Sequence, residues 1–136
     1  MQKYFKNQKT YELSDVFKSI IYKLGFRRLN GMDRPYYLDV VNGRVFNVTK
    51  HGKLRELKHG ISSGEYRQVK LKANGRFKCV YVHRLVAGFI LNHQHKKEVN
   101  HKDLDKSHNG YNNLEWVTHK ENVKHYQQSI KKGGTK

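Results

Sequence analysis

Two Asn-Gly pairs, Asn42-Gly43 and Asn74-Gly75, each stand between short runs rich in Val, Tyr, Phe and Leu. A tight turn with positive φ at both central residues suits this dipeptide and few others, so the flanking runs are expected to fold back on each other as antiparallel strands. The first hairpin is expected over residues 36–49, with strands 37–41 and 44–48. The second is expected over 66–82, turning near Ala73-Asn74-Gly75. Its loop length is argued from the sorting of faces. A two-residue loop would place Lys70 and Lys72 on one face with Phe77, Cys79 and Tyr81. A three-residue loop with Gly75 left-handed pairs Lys72 with Arg76 and leaves a clean apolar side, and it is the expected form. Gln68, Lys70, Lys72, Arg76 and Lys78 then form a cationic strip on a two-stranded ribbon, a shape that fits a DNA groove or backbone.

Helical signals flank these hairpins. Ser14 can cap a helix whose Val16, Phe17, Ile20, Ile21 and Leu24 recur at helical spacing, with Gly25 as its stop. It reads as a packing helix. The first ten residues are polar and expected to fray, and Arg27-Arg28 to Met32 reads as a linker. Residues 83–91 form a second short helix with Leu85, Val86, Phe89 and Ile90 on its apolar side. Then come a strand over 98–103, a loop rich in Asn, Gly, Ser and His over 104–112, and a strand over 114–117. Thr118-His119-Lys120-Glu121 is a capping box that starts a helix reaching about Gln128. The expected class is α+β: small antiparallel hairpins plus short helices.

The charge narrows the partner. The 136 residues hold 28 Lys+Arg against 11 Asp+Glu, a formal net charge of +17. Residues 1–35 carry eight basic and three acidic side chains, 36–82 ten and three, and 83–136 ten and five. No basic tail can be detached. Nine Tyr and six Phe set the chain apart from disordered basic segments, so a folded body that is basic throughout is implied. Its natural partner is a polyphosphate backbone, where each cation releases condensed counterions. An anionic membrane would want one amphipathic helix with its cations on one face, and none is found. One Cys excludes a disulfide framework, and no apolar run approaches a bilayer span. A soluble, cytoplasmic setting is expected. No glycine-aromatic signature or GxxG clamp supports an RNA-binding domain.

The strand-loop-strand-helix unit can bring Asn100-His101, Asn112-Asn113 and Asn122 into one site. Such residues suit phosphodiester hydrolysis. A neutral imidazole can take a proton from water. A hard dication held by side-chain oxygens can stabilise charge on the phosphate and the leaving 3′ oxygen. An Asn can fix the tautomer of the imidazole. His93 and His95, two His without a third ligand at zinc spacing, read as a solvated loop, and His108, His119 and His125 as surface residues. Trp116 and Val117 read as core.

The stretch Val99-Asn100-His101-Lys102-Asp103, then Asn113-Leu114-Glu115-Trp116-Val117-Thr118 and Glu121-Asn122, resembles the ββα-metal motif of the HNH nucleases of phage and intron-homing type. Val82-His83-Arg84-Leu85-Val86-Ala87 resembles the helix that precedes that motif, and 36–50 is similar to a β-hairpin module often fused upstream. The resemblance covers residues 36–128. It implies an endonuclease that cleaves duplex DNA to 5′-phosphate and 3′-hydroxyl ends with one Mg2+ or Mn2+. His101 would be the general base and Asn113 the residue that orients it. Asn100 and Asn122 would be the metal ligands, Asn100 standing where relatives often have Asp, which removes a negative charge from the site. Arg67, Lys70, Lys72, Arg76, Lys78, His83, Arg84 and Lys102 would contact DNA. The implied organisation is an N-terminal helix and linker (1–35), a hairpin DNA-binding region (36–82), the nuclease motif with its preceding helix (83–130) and a flexible tail (131–136). One such motif nicks one strand, so cutting both requires a homodimer or two binding events. The alternative is the same fold as a catalytically silent DNA-binding module.

Overall fold

The computed structural model describes residues 12–90 and 96–134. The expected fraying of the first ten residues and the His93/His95 loop lie outside them, as does Leu91. The architecture is α+β: three antiparallel sheets with short helices. Helix α1 (Asp15–Lys23) leads into a four-stranded sheet of β1 (Phe26–Leu29), β2 (Tyr36–Asp39), β3 (Arg44–Val48) and β4 (Leu54–Glu56) in that order. Strands β5 (Gly60–Ile61), β6 (Arg67–Ala73) and β7 (Arg76–Tyr81) form the second sheet, followed by α2 (Val82–Ala87). Strands β8 (Glu98–His101) and β9 (Leu114–Val117) pair as the third, and α3 (His119–Gly134) ends the described chain. No described helix is long and apolar enough to cross a membrane.

One core ties the three sheets together. Leu29, Tyr36, Leu38 and Val45 of the first sheet meet Val69 and Leu71 of the second, Val82, Val86 and Ala87 of α2, and Val99 and Leu114 of the third. Each fully buried Val or Leu among them contributes about 1.5–3 kcal/mol, more than the ~0–1 kcal/mol of a surface ion pair. Polar links reinforce the join: Lys72 N donates to the Tyr36 hydroxyl at 3.0 Å and Asp33 N to Lys72 O at 2.9 Å. Trp116 packs against this core, with its indole N–H donating to Ala87 O at 2.9 Å, and Val117 is buried.

Ser14 caps α1 as expected, its Oγ accepting from Phe17 N. The helix is not a packing element on the scale its spacing suggests. Ile21 is buried with Leu13 and Tyr37, while Val16, Ile20 and Leu24 are 73%, 53% and 62% exposed. The segment read as a linker contains β1, which pairs with β2 from Phe26↔Asp39 to Leu29↔Tyr36. Tertiary pairing overrides the weak local signal of an Arg-Arg pair there.

Both hairpins form with loops that differ from expectation. In the first, Asp39↔Arg44 is the last pair, so the loop spans four residues rather than two. The buried Asp39 carboxylate sets it, accepting from Val41 N, Asn42 N, the Asn42 amide and the Arg44 guanidinium, while Gly43 N donates to Asp39 O. In the second, Ala73 pairs with Arg76 and the loop is the two-residue Asn74-Gly75, with φ of 53° and 77°. The Asp33 carboxylate accepts from both loop N–H groups, at 2.9 and 2.7 Å, which holds this turn. The expected strip is therefore split. Lys70 and Lys72 share the open face with Phe77, Cys79 and Tyr81, and Arg76 and Lys78 lie on the other side with Val69 and Leu71.

Helix α2 ends at Ala87, short of the expected 91, with Gly88 N donating to Arg84 O and Phe89 exposed. Strand β8 stops at His101, two residues early, where Leu104 N turns back to His101 O. The capping box forms in full: Glu121 N donates to Thr118 Oγ1 at 3.1 Å and Thr118 N to Glu121 Oε1 at 3.0 Å. Helix α3 continues past Gln128 to Gly134.

Candidate active site

Strands β8 and β9 pair Asn100 with Glu115 and His101 with Leu114, and α3 packs against both. Asn100, His101 and Asn122 thereby line one cleft of about 360 Å³, together with Tyr66, Leu104, Lys106, Val123 and Tyr126. These are three of the four residues singled out for catalysis and metal binding. The fourth, Asn113, does not meet the His101 ring.

The ring is held by Asn109 instead. His101 is 5% exposed, and its Nε2 lies 2.7 Å from Asn109 Oδ1, itself on a residue 1% exposed. An amide oxygen accepts and never donates, so the proton sits on Nε2 and Nδ1 is left as the basic nitrogen. Asn113 works on the loop around the His101 ring. Its amide nitrogen donates to Asp103 Oδ1 at 2.8 Å and His108 O at 2.9 Å, its Oδ1 accepts from Asp103 N, and its carbonyl accepts from Lys102 N. Asn112 is exposed. No spacing rule points to Asn109, because the path of the 104–112 loop comes from contacts with the first hairpin. Tyr111 N donates to Val40 O at 2.8 Å, and Gly43 lies directly against Asn109.

His83 also departs from expectation. Instead of reaching toward DNA it is 6% exposed, packed on Tyr66 (4.9 Å between centroids), His101 (5.2 Å) and Tyr81 (5.5 Å). Burial, then the neighbouring His101 and Arg84, push its pKa down to about 4. Burial likewise lowers His101, outweighing the Asn109 hydrogen bond and the charges of Asp103 and Asp105. Both rings are neutral at pH 7. The unfolded chain protonates His83 near its ordinary 6.5, so the folded state loses stability as pH falls from 6.5 toward 4, by about 3 kcal/mol at the limit. Thermal melts at pH 7 and 4.5 are expected to show a smaller drop for His83→Phe than for the native chain.

Asp103 is pulled down to about 2, since hydrogen bonds from His108, Asp105 N and Asn113 outweigh the opposing effect of its burial. His108 and His119 are surface residues paired to Asp103 and Glu98, at 2.8 Å each. His125 is half-buried and faces Asn100. Among the cations, Lys70, Arg76, Lys78, Arg84 and Lys102 are exposed and Arg67 and Lys72 half-buried. Arg67 borders a shallow surface shared with Leu104–Ser107, beside the cleft. Lys106, which the sequence reading passed over, enters the cleft itself. Its ammonium lies 4.6 Å from the centroid of the Tyr66 ring and donates to Gly64 O at 2.8 Å.

The described residues contain no cluster of three or more His, Cys, Asp or Glu that could hold a metal ion. The cleft offers amide oxygens instead. The Asn100 nitrogen donates to Glu115 Oε1 at 2.9 Å and to His125 Nδ1 at 3.2 Å, and the Asn122 nitrogen donates to Glu98 Oε1 at 3.0 Å. A carboxylate can only accept, so each amide is oriented with its oxygen as the uncommitted atom. Hard oxygen donors of this kind suit a hard dication such as Mg2+ or Mn2+.

No protein-family model matches the chain. It is 42% identical over 82 residues to the DNA endonuclease I-HmuI of Bacillus phage SP01, an alignment covering 60% of this chain and 45% of that protein. It is 37% identical over 91 residues to the uncharacterized HNH endonuclease L245 of Acanthamoeba polyphaga mimivirus, covering 66% and 27%. A solved structure titled for DNA binding and cleavage by the HNH homing endonuclease I-HmuI superposes with a TM-score of 0.66 at 34% identity, over 76% of this chain and 58% of that one. The chain spans less than half the length of the curated relatives it matches.

Proposed function

The chain belongs to the HNH homing-type endonuclease family, and on that premise we propose that it hydrolyses phosphodiester bonds in duplex DNA with one divalent metal ion. The observation that carries the proposal is His101, its Nε2 tied to Asn109 and its ring in one cleft with Asn100 and Asn122.

His101 Nδ1 accepts the proton of the attacking water, a role open to it because burial keeps the ring neutral. Asn109 preserves the tautomer, and Asn113 holds the loop that brings Asn109 into place. Asn100 and Asn122 would hold the Mg2+ or Mn2+ ion through their side-chain oxygens. When bound, the ion stabilises charge on the phosphate and on the leaving 3′ oxygen. Lys106 adds a fixed positive charge beside the same phosphate. Lys70, Lys72, Arg76, Lys78, Arg67, Arg84 and Lys102 grip the backbone, which favours many phosphate contacts and loose sequence specificity. His83 is withdrawn from that set. It packs the wall behind His101.

The test is nicking of supercoiled plasmid across a metal series. Relaxed circles are expected with Mg2+ or Mn2+ and none with EDTA, while gel-shift affinity persists in EDTA and falls steeply with salt. Retained binding with no nicking in any divalent metal would instead identify a silent DNA-binding module.

A further inference from the structure

Two neutral amides attract a dication less than a carboxylate does, yet the negative charge missing from the cleft is present one hydrogen bond behind it. Glu115 lies opposite Asn100 across the β8–β9 ladder and accepts from its amide nitrogen at 2.9 Å. His125 Nδ1 takes the second position around that nitrogen at 3.2 Å. Glu98, two residues before Asn100 on β8, does the same for Asn122, accepting at 3.0 Å from Asn122 and at 2.8 Å from His119 Nδ1. Both amides are thus backed by acids, from two different strands.

We propose that Glu115 and Glu98 are the positioning residues of the metal site, each locking an asparagine with its oxygen toward the cleft and supplying the charge that the ligand itself lacks. This rests on the metal-dependent reading of the same cleft. Two physical effects carry it. An N–H donated to a carboxylate is charge-assisted and pushes electron density onto the amide oxygen, making it a stronger donor to a cation. Rotating the Asn100 amide would give up two hydrogen bonds and set its oxygen against the Glu115 carboxylate, acceptor against acceptor, so the ligand oxygen is held before the ion arrives. Partners of this kind typically change metal affinity 10- to 100-fold.

The experiment is Mn2+ binding by the full chain, followed by electron paramagnetic resonance with and without duplex DNA. Glu115→Gln and Glu98→Gln are isosteric and keep an acceptor while removing the charge. Each is expected to weaken Mn2+ binding about tenfold, with duplex affinity in EDTA unchanged or raised. Moving the charge one bond inward supplies the control that a merely structural role would not pass. Asn100→Asp in the Glu115→Gln background is expected to restore Mn2+ binding, whereas Asn100→Asp with Glu115 intact sets two carboxylates against each other and gains less. Thermal melts show whether each variant is folded. Equal Mn2+ affinity in the native chain and both Gln variants overturns the role of the two acids and leaves the nuclease reading standing. Failure of the native chain to bind Mn2+, with DNA or without, overturns both.

Discussion

His101→Ala is expected to slow plasmid nicking about 10³-fold, within the range typical for loss of a positioned general base, while duplex binding persists. Among the described residues that line the cleft, the imidazole is the one neutral base, and the polar groups around it are amides, two phenols and an ammonium, none of which accepts a proton at pH 7. Removing the ring also strips Asn109 of its partner. Its amide nitrogen already lacks one among the described residues, so the variant leaves a buried asparagine with both ends unpaired. A stability loss of about 1–3 kcal/mol is expected alongside the catalytic one. Two measurements separate these effects. Added imidazole is expected to recover part of the rate in His101→Ala, because the space and the substrate contacts remain. Asn109→Ala keeps the base and loses its tautomer control, so it is expected to fall between the native chain and His101→Ala. Cleavage by His101→Ala at the native rate would remove His101 from the chemistry.

What could be read in the sequence, and what could not, divides by range. Ser14 and the Thr118–Glu121 box act within four residues, and both caps stand where they were expected. The β8–β9 pair and the cleft residues Asn100, His101 and Asn122 were legible because two short strands and a capped helix leave few ways to pack. The turn lengths were not. Each is set by an acid whose reach the pattern of faces does not encode: Asp39 widens the first loop, and Asp33, 41 residues before Asn74, tightens the second. The same applies inside the site. Asn113 has the spacing of an orienting residue, but the loop it ties down delivers Asn109 to the ring.

The scarce acids explain how a chain of net charge +17 stays folded and still presents its cations. Asp33 and Asp39 hold turns, Glu121 caps a helix, and Asp103 joins the loop around the base. Glu12 accepts from Arg28 and the Tyr37 hydroxyl, and Glu98 and Glu115 stand behind the two cleft amides. Seven of the eleven carboxylates thus hold local geometry, and of these Glu12, Asp39 and Glu121 also ion-pair with a Lys or Arg. Among the described lysines Lys18 and Lys96 are the ones in ion pairs, so most remain available to the polyanion proposed as partner, the condition for a large counterion release on binding.

The contact between the first hairpin and the loop that carries Asn109 leaves no room for a side chain, and Gly43→Ala tests it. Gly43 has φ of +68°, and a Cβ built there falls 2.6 Å from Asn109 O and 2.7 Å from Asn109 Cβ. The neighbouring Gly110 is equally pinned, its Cβ position 2.3 Å from Val41 O. A methyl group at position 43 cannot be absorbed by a flexible side-chain end, so either the hairpin opens or Asn109 shifts. Backbone strain and overpacking together are expected to cost about 2–4 kcal/mol in urea unfolding. Because Asn109 is what holds the His101 tautomer, single-turnover cleavage at saturating protein is expected to slow while duplex affinity is retained. Gly52→Ala is the matched control. Gly52 has nearly the same φ, +71°, with nothing within 4 Å of the added carbon. It incurs the backbone strain alone, about 1 kcal/mol, and lies far enough from Asn109 to leave cleavage unchanged. If the two substitutions cost the same stability and leave cleavage equally intact, the hairpin does not position the base, and Asn109 is held by its own loop.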